Sequence, residues 1–510
     1  MYSGRNLKQQ ELDGIVNDFN IKLDSDNRWV KMSRMIPWGE IEEKYAKTFR
    51  NKRNDGRRAK RARVAIGSLL VQQILKLTDR ETVQMIKENP YIQYFLGYNE
   101  FITKAPFDAS TMVHFRKRFS VKIIAEINDM ILEKMRNEET KKKNDDDDIT
   151  SGQSAGTDEE TKKEEKDGNQ GKLILDATCV PADIRYPTDL SLLNEGREKI
   201  ENMIDIAWEK LKETGRVKPR TYRLEARKSY LATAKRPGHR GIRNAIKSQL
   251  QYLGRDLNIL DELLKENSER EENNLLNDKQ TETVSIIRTL YTQQKQMYES
   301  RIHRIKDRIV SISQFWVRPI VRGKAKSPVE FGAKLEISVV DGFTGIEKIS
   351  WDNFNEGQGL IESVERYRAK YGYYPEAVLA DKLYRNRKNL EYCKEHGIRL
   401  SGPRLGRPPK DEKKTKEHKK LEYLDTCERN AVEGKFGEGK RRYTLELNKM
   451  KLRETSETSI GMNILTMNIM AYYRRSLKFL FIFFILSKIS DFLDFRQKFV
   501  SKRICFTLCC

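Results

Sequence analysis

Two short apolar runs decide the reading of this chain: Leu173-Ile174-Leu175-Asp176 and Ala377-Val378-Leu379-Ala380-Asp381. Each is an uninterrupted aliphatic stretch of the kind that forms a strand buried on both faces, and each ends on an aspartate. In open α/β sheets, loops and ligands gather at the carboxyl ends of such strands. If the two strands are neighbours, their carboxylates lie within a few ångströms, repel each other and tend to take up protons. A divalent cation removes that penalty, and hard oxygen donors suit magnesium. A third carboxylate on a helix beside the strands would complete a two-metal site for phosphodiester cleavage. One strand-end aspartate is more often a helix cap or an ion-pair partner. Two of them in a basic chain make the metal reading about as strong as the structural one.

The chain is strongly basic. Its 510 residues carry 98 Lys and Arg against 75 Asp and Glu, a formal net charge of +23. The excess recurs along the whole sequence, which favours a polyanionic partner, nucleic acid first, over a merely solubilising surface. Six cysteines are too few and too scattered for a disulfide framework, and a reducing cytoplasm is expected. The apolar run Phe479 to Leu486 is too short for a bilayer, which needs about 20 residues, so no membrane partner is expected.

Outward from the two runs the chain divides by composition. Residues 1–60 form a polar, basic segment. Residues 61–136 read as helical: Val64, Ile66, Leu69, Leu70, Ile74 and Leu77 share a face, Thr78 and Glu81 form a capping box, and Asn89-Pro90 stops the second helix. A third helix carries Arg116, Lys117 and Arg118, and its pattern continues to about Arg136. Three short helices with a basic third suit a helix-turn-helix-like DNA-binding module; a solvated basic face explains them equally well. Residues 137–170, with Lys141 to Lys143 and Asp145 to Asp148, read as a disordered charged linker. A basic helical stretch spans about 195–315, includes Arg236 and Arg240, and is broken by Pro237-Gly238 into two arms. Strands are expected at 333–340 and 345–351 around the turn Asp341-Gly342, a helix at 358–370, and a short strand near Ile398. A further helix holds Arg429 and Glu433. Gly434 with Gly439-Lys440 imitates a nucleotide phosphate loop, but Arg441 stands where Ser or Thr should hold magnesium, and no buried strand precedes it.

The segment Asp176-Ala-Thr-Cys-Val-Pro-Ala-Asp-Ile-Arg-Tyr-Pro-Thr-Asp189, running on to Arg197, resembles the first catalytic segment of insertion-sequence DDE transposases of the group related to the IS-four and IS-five elements. Ala380-Asp381-Lys-Leu-Tyr384-Arg-Asn resembles the second, and Ile398 to Pro408 its usual continuation. Glu428-Arg429-Asn430-Ala-Val-Glu433-Gly434-Lys-Phe436, continuing to Tyr443, is similar to the third. Residues 63–119 resemble the helical domain that precedes such cores. The family's Tyr, Arg, Glu and Lys signature is met at Arg429, Glu433 and Lys440, with Thr426 at the tyrosine position. The phenylalanine-rich tail beyond Arg475 departs from the family.

The resemblance implies an α/β RNase H-like catalytic core over 171–475 with the helical insertion inside it, preceded by an all-α N-terminal domain and followed by an atypical tail at 476–510. It implies Asp176, Asp381 and Glu433 as catalytic residues holding two magnesium ions, or manganese in their place. Arg429, Lys440, Arg116, Lys117, Arg118, Arg236 and Arg240 are the candidate DNA contacts. The expected partner is double-stranded DNA, both element ends and target, bound by a homodimer or a higher synaptic assembly. The competing readings are a domesticated or decayed DNA-binding protein without catalysis, and a plain metal-dependent nuclease.

Overall fold

The computed structural model describes residues 23–49, 59–150, 168–212, 217–235, 238–269, 274–321, 329–403 and 412–477. Helices come first: α1 (Arg28–Met35), α2 (Trp38–Ala46), α3 (Ala62–Leu75), α4 (Asp79–Glu88), α5 (Pro90–Phe95), α6 (Thr111–Arg118) and α7 (Val121–Thr150). The Thr78–Glu81 capping box is formed in both directions, and Pro90 opens α5 directly after α4 ends. The fully buried Ile66, Leu70, Ile86, Phe95, Ile124 and Ile127 belong to one core.

Three expectations change here. The segment 1–60 is not merely polar and basic, since Trp29 and Met32 of α1, Ile41 and Tyr45 of α2, and Ile36 between the helices enter the same core. Their helical spacing is hidden among lysines, arginines and glutamates that face water. The third helix does not run unbroken to Arg136, because α6 stops at Arg118 and α7 begins at Val121. The linker expected at 137–170 begins instead as helix, α7 continuing to Thr150, while residues 151–167 lie outside the described residues. Once Ile127, Ile131 and Met135 anchor α7, each added Glu or Lys extends an existing helix without a new nucleation cost.

The sheet follows. Strands β1 (Lys172–Pro181), β2 (Arg318–Val321), β3 (Val329–Val340), β4 (Phe343–Ser350), β5 (Ala377–Leu379) and β6 (Arg399–Leu400) form one curled six-stranded sheet of order β2-β3-β1-β5-β6, with β4 also on β3. β1, β3 and β4 pair antiparallel, whereas β1, β5 and β6 run parallel. The tight turn between β3 and β4 is the expected Asp341-Gly342, with φ of 51° and 79°. Between β1 and β2 lie four helices rather than two arms: α8 (Asp189–Leu211), α9 (Arg223–Lys235), α10 (His239–Glu269) and α11 (Asp278–Ser300). They bury Leu253, Leu257, Leu260 and Leu263 in a core of their own.

α12 (Leu360–Tyr371) and α13 (Arg387–Glu395) cover one face of the sheet over Leu173, Leu175, Val378 and Ala380. α14 (Glu412–Arg442) packs on the other face, with Val432 fully buried beside Ile337 and Val339. A last helix, α15, covers 453–477. Its Ile460, Ile464 and Met467 complete the sheet core, while Met462, Leu465, Ile469 and Tyr472 complete the N-terminal core. Asn468 reinforces the junction, donating to Asn128 Oδ1 and to Thr344 O, both at 2.7 Å. No helix among the described residues is long and apolar enough to cross a membrane.

Because α15 is shared, a defect in it should unfold both halves together. Leu465→Ala, at a fully buried position, is expected to cost about 2–5 kcal/mol in one cooperative urea transition. A chain ending at residue 477 should remain soluble and folded, whereas one ending before residue 453 should not. Two separate transitions in Leu465→Ala, with only one displaced, would contradict this coupling.

Candidate active site

β1 is paired on both sides, but unequally. Along β3 the pairing runs from Ile174↔Val339 to Pro181↔Gly332, whereas along β5 it covers only Lys172↔Ala377, Leu173↔Val378 and Ile174↔Leu379. Asp176 and Asp381 each stand two residues beyond the last of these parallel pairs. They are therefore level with each other, on strands that lie about 4.8 Å apart where paired. Asp176 accepts a hydrogen bond from the Ala177 amide at 2.8 Å, and Asp381 caps the turn Lys382–Tyr384 by accepting from the Lys382 amide at 2.7 Å. Both side chains are part-buried.

Burial pushes the Asp176 carboxyl up from 3.8 to about 6, against the Ala177 hydrogen bond, with the negative charges of Glu356 and Asp381 adding to the rise and Arg429 opposing it. Sequence reasoning had no role for Glu356. It opens the short turn Glu356–Gln358 after β4, and its carboxylate pairs with Lys334 of β3 at 2.8 Å. Nothing in its spacing relates it to the aspartates; only the curl of the sheet brings it near. Glu336, on β3 opposite Ala177, is also buried and accepts a hydrogen bond from the Tyr384 hydroxyl at 2.7 Å. Tyr384 lay in a motif already singled out, but its buried partner could not be read from the sequence.

Three glutamates compete on α14. Glu428 is bound by Lys172 Nζ at 2.7 Å through both oxygens, and Glu438 by Arg474 at 2.6 Å and Lys435 at 3.8 Å. Glu433, between them, is exposed and has no hydrogen bond or ion pair among the described residues. Its neighbour Val432 faces the sheet. Arg429, one turn earlier, is close enough to act on Asp176 and makes no ion pair with Glu433. The two aspartates, Glu356 and Arg429 thus come together, whereas Glu433 is not among the charges acting most strongly on Asp176. Among the described residues, no three His, Cys, Asp or Glu side chains are close enough to hold an ion.

The candidate DNA contacts separate into different environments. Arg116 turns inward instead of outward: its side chain is 4% exposed and donates to Asp79 Oδ2 at 3.1 Å and Gln72 Oε1 at 2.7 Å. It ties α6 to α3 and α4, and a phosphate could reach it only if that pairing broke. Lys117 and Arg118 are exposed, Arg118 lying 4.0 Å over the Phe49 ring. Arg240 is exposed on α10, Lys440 is part-buried near the end of α14, and Arg236 lies outside the described residues.

The raised Asp176 carboxyl gives a pH signature without cations. The unfolded chain ionises this group near 3.8, but the folded chain resists until about 6, so stability falls as pH rises through that interval. Asp176→Asn escapes the penalty. In chelator, it should match wild type below pH 3.8 and exceed it above pH 6, by up to about 3 kcal/mol. Thermal melts across that range check this, and a variant less stable than wild type at neutral pH would contradict it.

Residues 378–470, which include Asp381 and Glu433, match the family model described as Transposase DDE domain. Residues 17–118, covering α1 to α6, match the model described as Transposase domain (DUF772). A curated relative from Rhizobium meliloti, Uncharacterized protein ORF8 in nfe locus, is 33% identical over 126 residues, which is 24% of this chain and 56% of that protein. The chain thus spans little more than half the length of that relative. No solved structure matches. Transposase models thus match near both ends of the one chain, which indicates an insertion-sequence transposase.

Proposed function

We propose that this protein cleaves phosphodiester bonds at the ends of an insertion sequence and joins the freed ends to target DNA, with Asp176, Asp381 and Glu433 as its catalytic carboxylates. The observation that carries the reading is the level position of Asp176 and Asp381 beyond the short β1–β5 pairing. Antiparallel β4, β3 and β1 followed by parallel β5 and β6 support an RNase H-like core of the kind found in the group related to the IS-four and IS-five elements.

The donor set fits a hard divalent cation, magnesium or manganese. Two aspartates lie side by side, and burial and neighbouring charge leave Asp176 reluctant to ionise without a counter-charge. Bound there, such cations supply Lewis-acid stabilisation of phosphodiester oxygens. Asp176 and Asp381 would hold them from the strand ends. Glu433, the unpaired glutamate of the three on α14, would complete the set by turning inward. Arg429 tempers the negative charge beside Asp176 and can meet a DNA phosphate. Water attacks the end phosphodiester, the P–O3′ bond breaks and a 3′-hydroxyl leaves. That hydroxyl then attacks a target phosphodiester in line, forming a new P–O bond as the target P–O3′ bond breaks and a target 3′-hydroxyl leaves. Lys117, Arg118, Arg240 and Lys440 would add salt-sensitive affinity for double-stranded DNA. Pairing two ends requires a homodimer or a larger synaptic assembly, and the setting proposed for it is the cytoplasm.

One observation favours a DNA-binding protein without catalysis: no ready-made three-carboxylate cluster is present among the described residues. Nicking and gel-shift assays on one element-end substrate separate the two readings. Asp176→Asn should bind DNA at least as well as wild type and fail to nick it. Glu433→Gln should lose magnesium-dependent nicking by orders of magnitude. Glu428→Gln, which breaks a surface ion pair worth under about 1 kcal/mol, and Glu438→Gln, which weakens part-buried pairs with Arg474 and Lys435 away from the aspartates, should remain within several-fold of wild type. Normal nicking by Glu433→Gln, with loss in either neighbour, would reassign the third carboxylate.

A further inference from the structure

The hydrogen-bonded ladder between β1 and β5 ends at Ile174↔Leu379, before either aspartate is reached. Backbone pairing therefore does not fix the distance between Asp176 and Asp381. The best-buried polar contact in the region ties the Asp381 turn to β3, the strand that pairs with β1. Tyr384 closes that turn, its amide donating to Asp381 O at 2.9 Å, and its side chain is fully buried. Its hydroxyl donates to Glu336 Oε1 at 2.7 Å, and Glu336 pairs in register with Ala177, the residue after Asp176. The bond thus closes a loop from one aspartate to the other by way of β3.

The same turn is fastened to the Glu356–Gln358 turn. Asn389 Nδ2 donates to Tyr384 O at 2.8 Å and to Gly357 O at 2.7 Å, and Asn386 Nδ2 donates to Gly357 O at 3.0 Å. A Cβ on Gly357 would lie 2.5 Å from Leu383 O, so the two turns touch backbone to backbone. A phenol-to-carboxylate bond in such a dry setting is short and strong, and it fixes its partners in one geometry.

We propose that the Tyr384–Glu336 bond is the positioning device that sets the Asp176–Asp381 spacing for divalent-cation binding. This rests on the two-aspartate reading given above. Tyr384 and Glu336 touch neither DNA nor the reacting atoms; they act through the aspartates. Groups that orient metal ligands in this way typically contribute about 10–100-fold to metal affinity.

The test uses the full chain and manganese alone, followed by titration calorimetry, with melting in chelator as a check of folding. Tyr384→Phe removes one oxygen and keeps the packing, so it should fold, yet bind manganese about 10–100-fold more weakly. Its nicking of element-end DNA should recover when manganese is raised to saturation. Glu336→Gln keeps an acceptor for the phenol and should bind manganese nearly as wild type does. Glu336→Leu removes the acceptor from the other side and should repeat the Tyr384→Phe defect, which decides the matter if Tyr384→Phe folds poorly. Asp381→Asn serves as the reference. If it loses manganese while folded Tyr384→Phe and Glu336→Leu bind normally, the positioning role is overturned and the active-site reading stands. If Asp381→Asn itself binds manganese as wild type does, the active-site reading fails first.

Discussion

The parallel contact between β1 and β5 is only three residues long, and the site depends on where it stops. Within the pairing, Leu173 and Val378 pack on the α12 side and Ile174 on the α14 side, while Lys172 reaches out to Glu428. Where the pairing with β5 ends, the two strands part, and the aspartates stand two residues beyond the last pair. Holding them there has a cost, visible in the raised proton affinity of Asp176, which comes first from burial and then from the charges of Glu356 and Asp381. The surroundings tolerate it because Lys334 offsets Glu356 and Arg429 faces Asp176.

That contact is assembled from distant pieces of chain. β1 and β3 are neighbours although the whole of α8 to α11 separates them in sequence. Closing so long a loop adds little to the entropic cost, since each doubling of length adds only about 0.6 kcal/mol. The inserted helices also bury Leu253, Leu257 and Leu260 among themselves, so they do not draw on the sheet for their stability. The N-terminal helices behave differently. They share α15 with the sheet, and Thr458 caps the matter by donating to Phe119 O at 2.7 Å beside the inward-turned Arg116. Lys117 and Arg118 thus stand among helices packed, through α15, against the sheet that carries the aspartates.

What the sequence made legible was whatever depends on neighbours along the chain. Uninterrupted aliphatic runs marked β1 and β5, Asp341-Gly342 marked the β3–β4 turn, Thr78 and Glu81 marked the start of α4, and the leucine series marked α10. Features that depend on tertiary direction were hidden. Arg116 differs from Lys117 and Arg118 only in lying on the helix face toward α3, and an isolated cation on a helix does not announce which way it turns. Trp29, Met32 and Tyr45 sit among charged residues, so the mean composition of the first sixty residues concealed a core face. Glu336 and Glu356 were invisible because β3 and the following turn come near Asp176 only after the sheet has curled.

The net charge of +23 and the acidity of the site look opposed, and distance reconciles them. At physiological ionic strength charges are screened beyond about 8 Å, so lysines and arginines spread over the surface attract DNA without cancelling the carboxylates locally. Local charge is set by a few neighbours. Glu356 and Asp381 make Asp176 harder to ionise, Arg429 makes it easier, and Lys334 is already engaged by Glu356. Under the proposed reading, a phosphate drawn in by the general field would meet net negative charge at the strand ends unless cations were bound there. DNA binding and cation binding would then reinforce each other at the site, since each brings the charge that the other lacks.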